Sequence, residues 1–446
     1  MDRRDFLKTA GAGALAAGAA VACKNIDTKA PAGAAAPAVD GEMARHPLMP
    51  EPIGLLGYGC MRWQMKRDEN GRNVVDQDSV NELVDYAIAH GVNYFDSSPV
   101  YLQGQSESAT GIALRRHPRE SYFIATKMSN MSIPTYEASV AQYRQSFENY
   151  QTDYIDYYLM HIISSEQDFR RRFLDNGVVD FLVKEREAGR IRHLGFSFHG
   201  SPEAFDYMMS LHERYHWDFV QIQMNYYDWN HASGRNSNAS YLYEQLDKRE
   251  IPVVIMEPLQ GGRLSSVAEG VAAQMKEREP ERSIASWAFR FVGSFPRVLC
   301  ALSGMTYMEH LVDNVGTFTD FQPLTEEEMD FLERMVGIMA NYPLVPCNDC
   351  SYCMPCPYGI DIPTIFRHYN AAVNGGEVVE NTEARDYKRL KKRYLTTYDK
   401  AVETLRQADH CIGCGQCEPH CPQNIRIPQQ LHRIDRYVES LKQDKF

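Results

Sequence analysis

Apolar residues along this chain follow two alternating rhythms. From residue 53 onward, short runs rich in Ile, Val, Phe and Tyr, each bounded by Gly, Pro or a charged residue, predict strands at 53–58, 92–95, 122–126, 155–161, 193–198, 219–223, 252–256 and 298–302. Between them lie longer stretches with helical spacing. In 79–90, for example, Val80, Leu83, Val84, Ala87 and Ile88 share one face. Eight such βα units in succession predict parallel strands joined by crossover helices, and eight is the number that closes a barrel. An open doubly wound sheet is the alternative, but no G-x-G-x-x-G follows the first strand.

The βα rhythm ends near Phe318. Thr325 and Glu328 then form a capping-box pattern ahead of Met329, Leu332 and Met335, so a helix is expected from there. Pro343 and Pro346 lead into a cysteine-rich region. The expected division is 1–50 leader and linker, 51–322 (β/α)8 barrel, and 323–446 an α-helical domain, with the boundary near Pro323. At 446 residues and 44% hydrophobic composition the chain can support two cores. A net charge of −12 argues against a nucleic-acid binder, which normally shows a basic face.

The first residues read Arg3-Arg4-Asp5-Phe6-Leu7-Lys8 before an Ala/Gly-rich apolar stretch from 9 to 22, which resembles a twin-arginine export signal. That stretch is short for a membrane span. Cys23 closes it in Ala20-Val21-Ala22-Cys23, similar to a lipoprotein cleavage site except that Ala20 stands where Leu is usual. A lipidated Cys23 and plain signal removal are both compatible with this. The Ala/Pro stretch 29–39 follows as a tether. The expectation is export, to the periplasm or to a membrane anchor facing it.

Eight of the eleven cysteines fall in two runs, Cys347-x-x-Cys350-x-x-Cys353-x-x-Cys356-Pro357 and Cys411-x-x-Cys414-x-x-Cys417-x-x-x-Cys421-Pro422. The second has the bacterial ferredoxin spacing, and the first is one residue shorter before its last cysteine. Residues 356–363 also repeat as 421–428, each followed by an amphipathic stretch. The pattern therefore resembles an α-helical ferredoxin domain holding two [4Fe–4S] clusters. In that type of protein the cysteine before Pro serves the other cluster. Structural zinc fits poorly, since its ligands normally come in separated pairs. Disulfides suit an exported protein, but cysteines at every third residue give no sensible pairing. Cys60 and Cys300 read as buried small hydrophobes. The twin-arginine route fits clusters, because it carries proteins already folded with their cofactors.

Four residues at the ends of successive predicted strands carry a further resemblance. Asp96 ends Asn93-Tyr94-Phe95-Asp96, with Tyr101 five residues on; Lys127 ends the third strand and His161 the fourth. Their order resembles the tetrad of aldo/keto reductases, over about residues 52–315. The chemistry explains the residue types. Carbonyl reduction needs a hydride and a proton, and a free tyrosine, with a pKa of about 10, exchanges protons poorly near neutrality. A neighbouring ammonium such as Lys127 favours the phenolate, so Tyr101 could serve as acid/base. Asp96 would hold Lys127, and His161 would orient the substrate oxygen.

The resemblance also implies a nicotinamide cofactor, NAD(H) or NADP(H), touched by Ser197 and Gln221 at its carboxamide and by Gly304, Asp313 and Asn314 on the adenine side. Phe198 stands where the family often has Asn, and Met256 where an aromatic usually stacks under the nicotinamide. Gly304 and His310 replace the Lys and Arg of NADP-preferring members, so NAD(H) is the expected preference. Trp63, Tyr226, Tyr227 and Trp229 are expected on loops at the same end, where they could stack on substrate. The implied function is oxidoreduction of a small carbonyl or alcohol, with the clusters passing single electrons to a redox partner protein or membrane carrier. Two rivals are a non-catalytic electron-transfer subunit that uses the barrel for docking, and clusters that merely pin helices together.

Overall fold

A computed structural model describes residues 39–47 and 51–446 apart from Arg235 and Asp320. The leader motif and Cys23 lie outside the described residues. Eight parallel strands close a barrel: β1 (Leu56–Gly59), β4 (Tyr94–Asp96), β5 (Phe123–Met128), β6 (Ile155–Ile163), β7 (Ile191–Phe198), β8 (Phe219–Gln223), β9 (Val253–Met256) and β10 (Val298–Ser303), with β10 pairing back onto β1. β2 (Met65–Arg67) and β3 (Asn73–Val75) form a separate antiparallel hairpin that the hydrophobic pattern does not announce. The reason is physical: this hairpin is short and exposed apart from Val75, so it carries no alternating buried face to read.

The period-two alternation of each strand sorts the core into two layers. Tyr94, Ala125, Tyr157, Leu159, Phe219 and Val254 pack inside the barrel. Phe95, Tyr158, Met160, Phe196, Val220 and Ile255 pack outward against the helices. Following the inward parity to the carboxyl end of each strand gives Asp96, Lys127, His161, Ser197, Gln221 and Met256. The interior is thus apolar at one end and chemically equipped at the other, the end where barrels of this kind place their sites.

The expected helix spans Glu326–Met339. Its capping box is formed, with the Thr325 amide donating to Glu328 Oε2 at 2.8 Å and the Glu328 amide to Thr325 Oγ1 at 3.3 Å. Phe331, Leu332, Met335 and Val336 of this helix share the barrel's outer core. Beyond it, helices Ile362–Asn374, Tyr387–Ala401 and Ile427–Gln443 bury a second core that includes Ile365, Phe366, Tyr394, Tyr398, Leu431 and Ile434. The first and third of these begin with Ile-Pro, each just after a Cys-Pro segment, because proline suits the first turn of a helix. The sequence repeat is thus a structural one. All described residues fall within one compact unit.

Candidate active site and cluster centre

Asp96 and Lys127 are buried together, with Lys127 Nζ donating to Asp96 Oδ1 at 2.5 Å and to the Ser97 carbonyl at 2.7 Å. Burial pushes Asp96 up and Lys127 down, and each is opposed by the charge of the other. Lys127 Nζ stands 5.0 Å from the centroid of the Tyr101 ring, and the Tyr101 and His161 rings meet edge-on at 6.0 Å. Tyr101 is held by a tight turn in which Leu102 and Gln103 adopt left-handed backbone. Burial pushes its phenol well up, and the nearby Tyr352 and Asp96 add to the effect.

His161 is buried, and its Nδ1 lies 2.6 Å from Ser129 Oγ, which in turn meets Ser98 Oγ at 2.8 Å. Burial first, then the charges of Lys127 and Arg172, hold it well below the usual imidazole range, so it is neutral. Buried Arg172 donates to the carbonyls of His161 at 2.6 Å and Ile162 at 2.9 Å, pinning the end of β6. The four residues read from the sequence as a tetrad therefore meet at one place. Ser129, Ser98 and Arg172, which the reading missed, hold His161 there.

These four side chains line a cavity of about 500 Å³ together with Ser197, Gln221, Met256, Gly304, Asp313 and Asn314. All five residues expected at a nicotinamide cofactor thus face the same space. Ser197 Oγ accepts from the Ile162 amide at 2.8 Å, and Asn314 Nδ2 donates to Ser303 Oγ at 3.0 Å. Gln221 is buried, and its Oε1 has no hydrogen-bond partner. A buried acceptor left unpaired costs free energy, so the site suits a ligand that brings a donor such as an amide NH₂. Phe198 points outward and packs on Phe205 at 4.9 Å. The departure at that position therefore leaves the cavity untouched.

The loop aromatics behave differently from expectation. Trp63 is buried with its indole donating to Thr110 at 3.0 Å, Tyr226 is buried, and Trp229 packs on Phe291 and Phe295. Tyr227 is half-buried against the same core. None of the four is among the residues that line the cavity. Their apolar area is better satisfied in the core than at the mouth.

The cavity has a wall that the sequence did not disclose. Asn348, Cys350, Tyr352 and Pro422 of the cysteine-rich domain line it beside the tetrad. Asn348 is buried; its carbonyl accepts from Arg62 at 2.9 Å and its Nδ2 donates to Glu257 Oε1 at 2.9 Å. Tyr352 lines the cavity beside Tyr101, and its presence adds to the rise of the Tyr101 phenol. Glu257, just past β9, has left-handed backbone, and burial pushes its carboxyl up to about 7 against the pull of Arg62. Gln423 Nε2 donates to Gln223 Oε1 at the end of β8, 3.0 Å away.

The cysteines sort into two sets by the charges they feel. Cys421 adds to the charge around Cys347, Cys350 and Cys353, while Cys356 does so for Cys411 and Cys417, which also feel Cys414; one coupling crosses the sets, since Cys353 also feels Cys417. Each set takes three thiols from one run and its fourth from the other, the exchange that the ferredoxin resemblance implies. Burial pushes the Cys347 thiol up to about 11 and the Cys353 thiol up to about 12, so these sulfurs ionise only against a strong cation such as cluster iron. The donor set fits two cubanes. Among the described residues no three His, Cys, Asp or Glu meet at the spacing of a single ion; a cubane holds its thiolates further apart.

Both cysteine loops also repeat in backbone. Asp349 and Ser351 in the first, and Gly413 and Gly415 in the second, occupy matching positions and all have left-handed φ, between 57° and 73°. The first loop is docked on the barrel. The second shows Ile412 and Cys414 to solvent.

Well over half of the chain, residues 55–336, matches the model of the aldo/keto reductase family, and residues 346–426 match that of a 4Fe-4S dicluster domain. The chain belongs to the aldo/keto reductase family and is an oxidoreductase with an iron–sulfur domain behind its barrel. Among curated relatives, "Probable aldo-keto reductase 1" of Glycine max is 26% identical over 170 residues, 36% of this chain but only 45% of that protein. "Uncharacterized oxidoreductase YqkF" of Bacillus subtilis (strain 168) is 22% identical over 311 residues, covering 63% of this chain and 92% of that one. Among solved structures, an aldo-keto reductase from Klebsiella pneumoniae in complex with NADPH shares the fold, with a TM-score of 0.51 and 20% identity over 67% of this chain and 95% of that one.

Proposed function

We propose that the barrel moves hydride between a nicotinamide cofactor and a small carbonyl or alcohol, with Tyr101 as acid/base, and that the neighbouring clusters link this site to a one-electron partner. The observation that carries the reading is the shared cavity: Asp96, Tyr101, Lys127 and His161 line it together with Cys350. Nicotinamide would supply the hydride acceptor or donor, and Ser197 and Gln221 would hold its carboxamide. Tyr101 gives or takes the proton at the substrate oxygen, the Lys127 ammonium favours the phenolate left behind, and neutral His161 fixes the oxygen's direction. Asp96 keeps Lys127 charged in its buried position.

Cys347, Cys350, Cys353 and Cys421 would hold the cluster nearer the cavity, and Cys356, Cys411, Cys414 and Cys417 the outer one. The barrel mouth is covered by the chain's own first cysteine loop, which speaks against a barrel kept only to dock another protein. NAD(H) is preferred over NADP(H) in this reading, even though the Klebsiella relative binds NADPH: Gly304 offers no cation, and Glu309 and Asp313 line the same end of the cavity. The leader pattern supports export by the twin-arginine route, with Cys23 as a candidate lipid anchor.

The test is protein purified from its native compartment without oxygen. Bound nicotinamide beside about eight irons, with turnover abolished by Tyr101→Phe, is the expected result. Clusters without any nicotinamide binding, or unchanged turnover in Tyr101→Phe, would refute the hydride reading.

A further inference from the structure

The two segments that would hold the cluster nearer the cavity, the inner one, are each tied to the barrel mouth. Asn348, next to Cys347, is buried; its carbonyl accepts from Arg62 and its Nδ2 donates to Glu257 Oε1, both at 2.9 Å. Gln423, two residues after Cys421, is buried as well. Its Nε2 donates to Gln223 Oε1 at 3.0 Å, and its Oε1 accepts from Asn236 Nδ2 at 3.3 Å. Both ties lie at the cavity, since Asn348, Arg62 and Glu257 line it, and so does Pro422 between Cys421 and Gln423.

The ties are joined beneath the loops. Gln223 Nε2 donates to Asp228 Oδ2 at 2.7 Å, and Asn225 Nδ2 donates to the same oxygen at 2.7 Å and to the Glu257 carbonyl at 3.0 Å. Gln223, Asn225 and Asp228 are all buried. A hydrogen-bonded path therefore runs from Gln423 through Asp228 to Glu257 and Asn348. Such a network holds its members to one arrangement, because a buried polar group that loses its partner is costly. A cubane drawing Cys347 and Cys421 together fixes both ends of that path at once.

We propose that Asn348 and Gln423 are positioning residues through which the inner cluster and the nicotinamide cavity stabilise each other. The assembled cluster fixes the two segments, and these fix the cavity wall at Arg62, Glu257 and the end of β8. Occupation of the cavity by nicotinamide then opposes the opening that releases iron. The inference rests on the reading of the cavity as a nicotinamide site. Linkage makes the effect run both ways, since a ligand that prefers the closed arrangement stabilises it.

The experiment follows iron release from anaerobically purified holoprotein to a ferrous chelator. NAD+, which has no hydride to give, is absent or present at about a hundred times the Kd of each variant. Wild type should show two phases of roughly four irons each, a fast one for the outer cluster, whose Cys414 is exposed, and a slow one for the inner cluster. NAD+ should slow the second about ten- to a hundredfold and leave the first alone. In Asn348→Ala and in Gln423→Ala the slowing should fall to about threefold or less, and NAD+ affinity by calorimetric titration should weaken about five- to fiftyfold. Asn374→Ala is the control: Asn374 Nδ2 donates to the Ser266 carbonyl at 2.6 Å, joining the same two domains, but neither residue lines the cavity. It should behave as wild type. The wild-type arm needs no substitution, so a variant that fails to fold leaves the test standing. Bound NAD+ without slowing of the second phase in wild type, slowing that persists in either alanine variant, or equal loss in Asn374→Ala would overturn the proposal while leaving the hydride reading in place. Failure of wild type to bind any nicotinamide would refute that reading, and this inference with it.

Discussion

The docking of the first cysteine loop on the barrel can be isolated by two neighbouring glycines. Gly261 and Gly262 both have positive φ, +67° and +100°, so an alanine at either strains the backbone, by about 1–2 kcal/mol. They differ in what a Cβ would meet. At Gly262 the nearest atom is Ser265 Oγ at 3.8 Å, an ordinary contact; at Gly261 it is the Asn348 carbonyl oxygen at 2.0 Å. Asn348 would have to retreat by roughly 1.4 Å to restore van der Waals contact. That oxygen accepts from Arg62, and the same residue donates to Glu257, each at 2.9 Å. Losing both bonds to charged groups adds about 2–4 kcal/mol, taking the lower range because Arg62 is partly exposed. Gly261→Ala should therefore cost about 3–6 kcal/mol and Gly262→Ala about 1–2 kcal/mol. Amide hydrogen exchange of the 344–354 segment in the holoprotein reads this directly, since local opening sets its rate. The expected outcome is exchange faster by two orders of magnitude or more in Gly261→Ala alone (about 1.4 kcal/mol per factor of ten). Equal protection in the two variants would refute the docking argument.

Two further outcomes are expected. Glu257, whose folded pKa is raised to about 7, binds its proton more tightly folded than unfolded, so its contribution to stability is present below the unfolded value and is lost as pH rises toward 7. Thermal unfolding across that range should show wild type losing about 2–4 kcal/mol relative to Glu257→Gln, and parallel curves would refute the burial of an ionisable carboxyl there. In the cysteine loops, Ser351→Gly should gain about 1 kcal/mol and Gly415→Ala lose about as much, since only backbone strain separates them. Rates of iron release to a chelator should order as Gly415→Ala, wild type, Ser351→Gly, from fastest to slowest.

The barrel was legible because its signal is local. Each strand alternates with period two, each intervening helix with 3.6, and the inward parity that buries Tyr157 and Leu159 also delivers His161 to the cavity. The residues that meet in the cavity and the cysteines all declare themselves by position or spacing. The orientation of Phe198 was equally available, since Gly195 and Ser197 take the inward positions of β7 and leave Phe198 to face out. Trp63, Tyr226 and Trp229 misled because an aromatic on a loop has no period to say whether it turns inward. The contacts of Asn348 and Gln423 with the barrel were hidden for another reason: they join residues roughly 90 to 290 positions apart, and nothing periodic marks them.

A signal for that docking nevertheless exists in the repeat itself. Two copies of a cysteine loop with the same left-handed backbone would both prefer glycine where φ is positive, and the second has it at Gly413 and Gly415. The first keeps Asp349 and Ser351 there at a cost in strain, and Asp349 is tied to Arg367 and lies 3.7 Å from Arg62. Strain retained at one copy and absent from the other marks the copy whose side chains have a task. Asn348 in that copy reaches Glu257 and Tyr352 lines the cavity with Tyr101, whereas their counterparts Ile412 and Gln416 face solvent. The asymmetry separates the two halves: the first loop completes the wall of the cavity that holds the tetrad, and the second leaves Cys414 and Ile412 exposed.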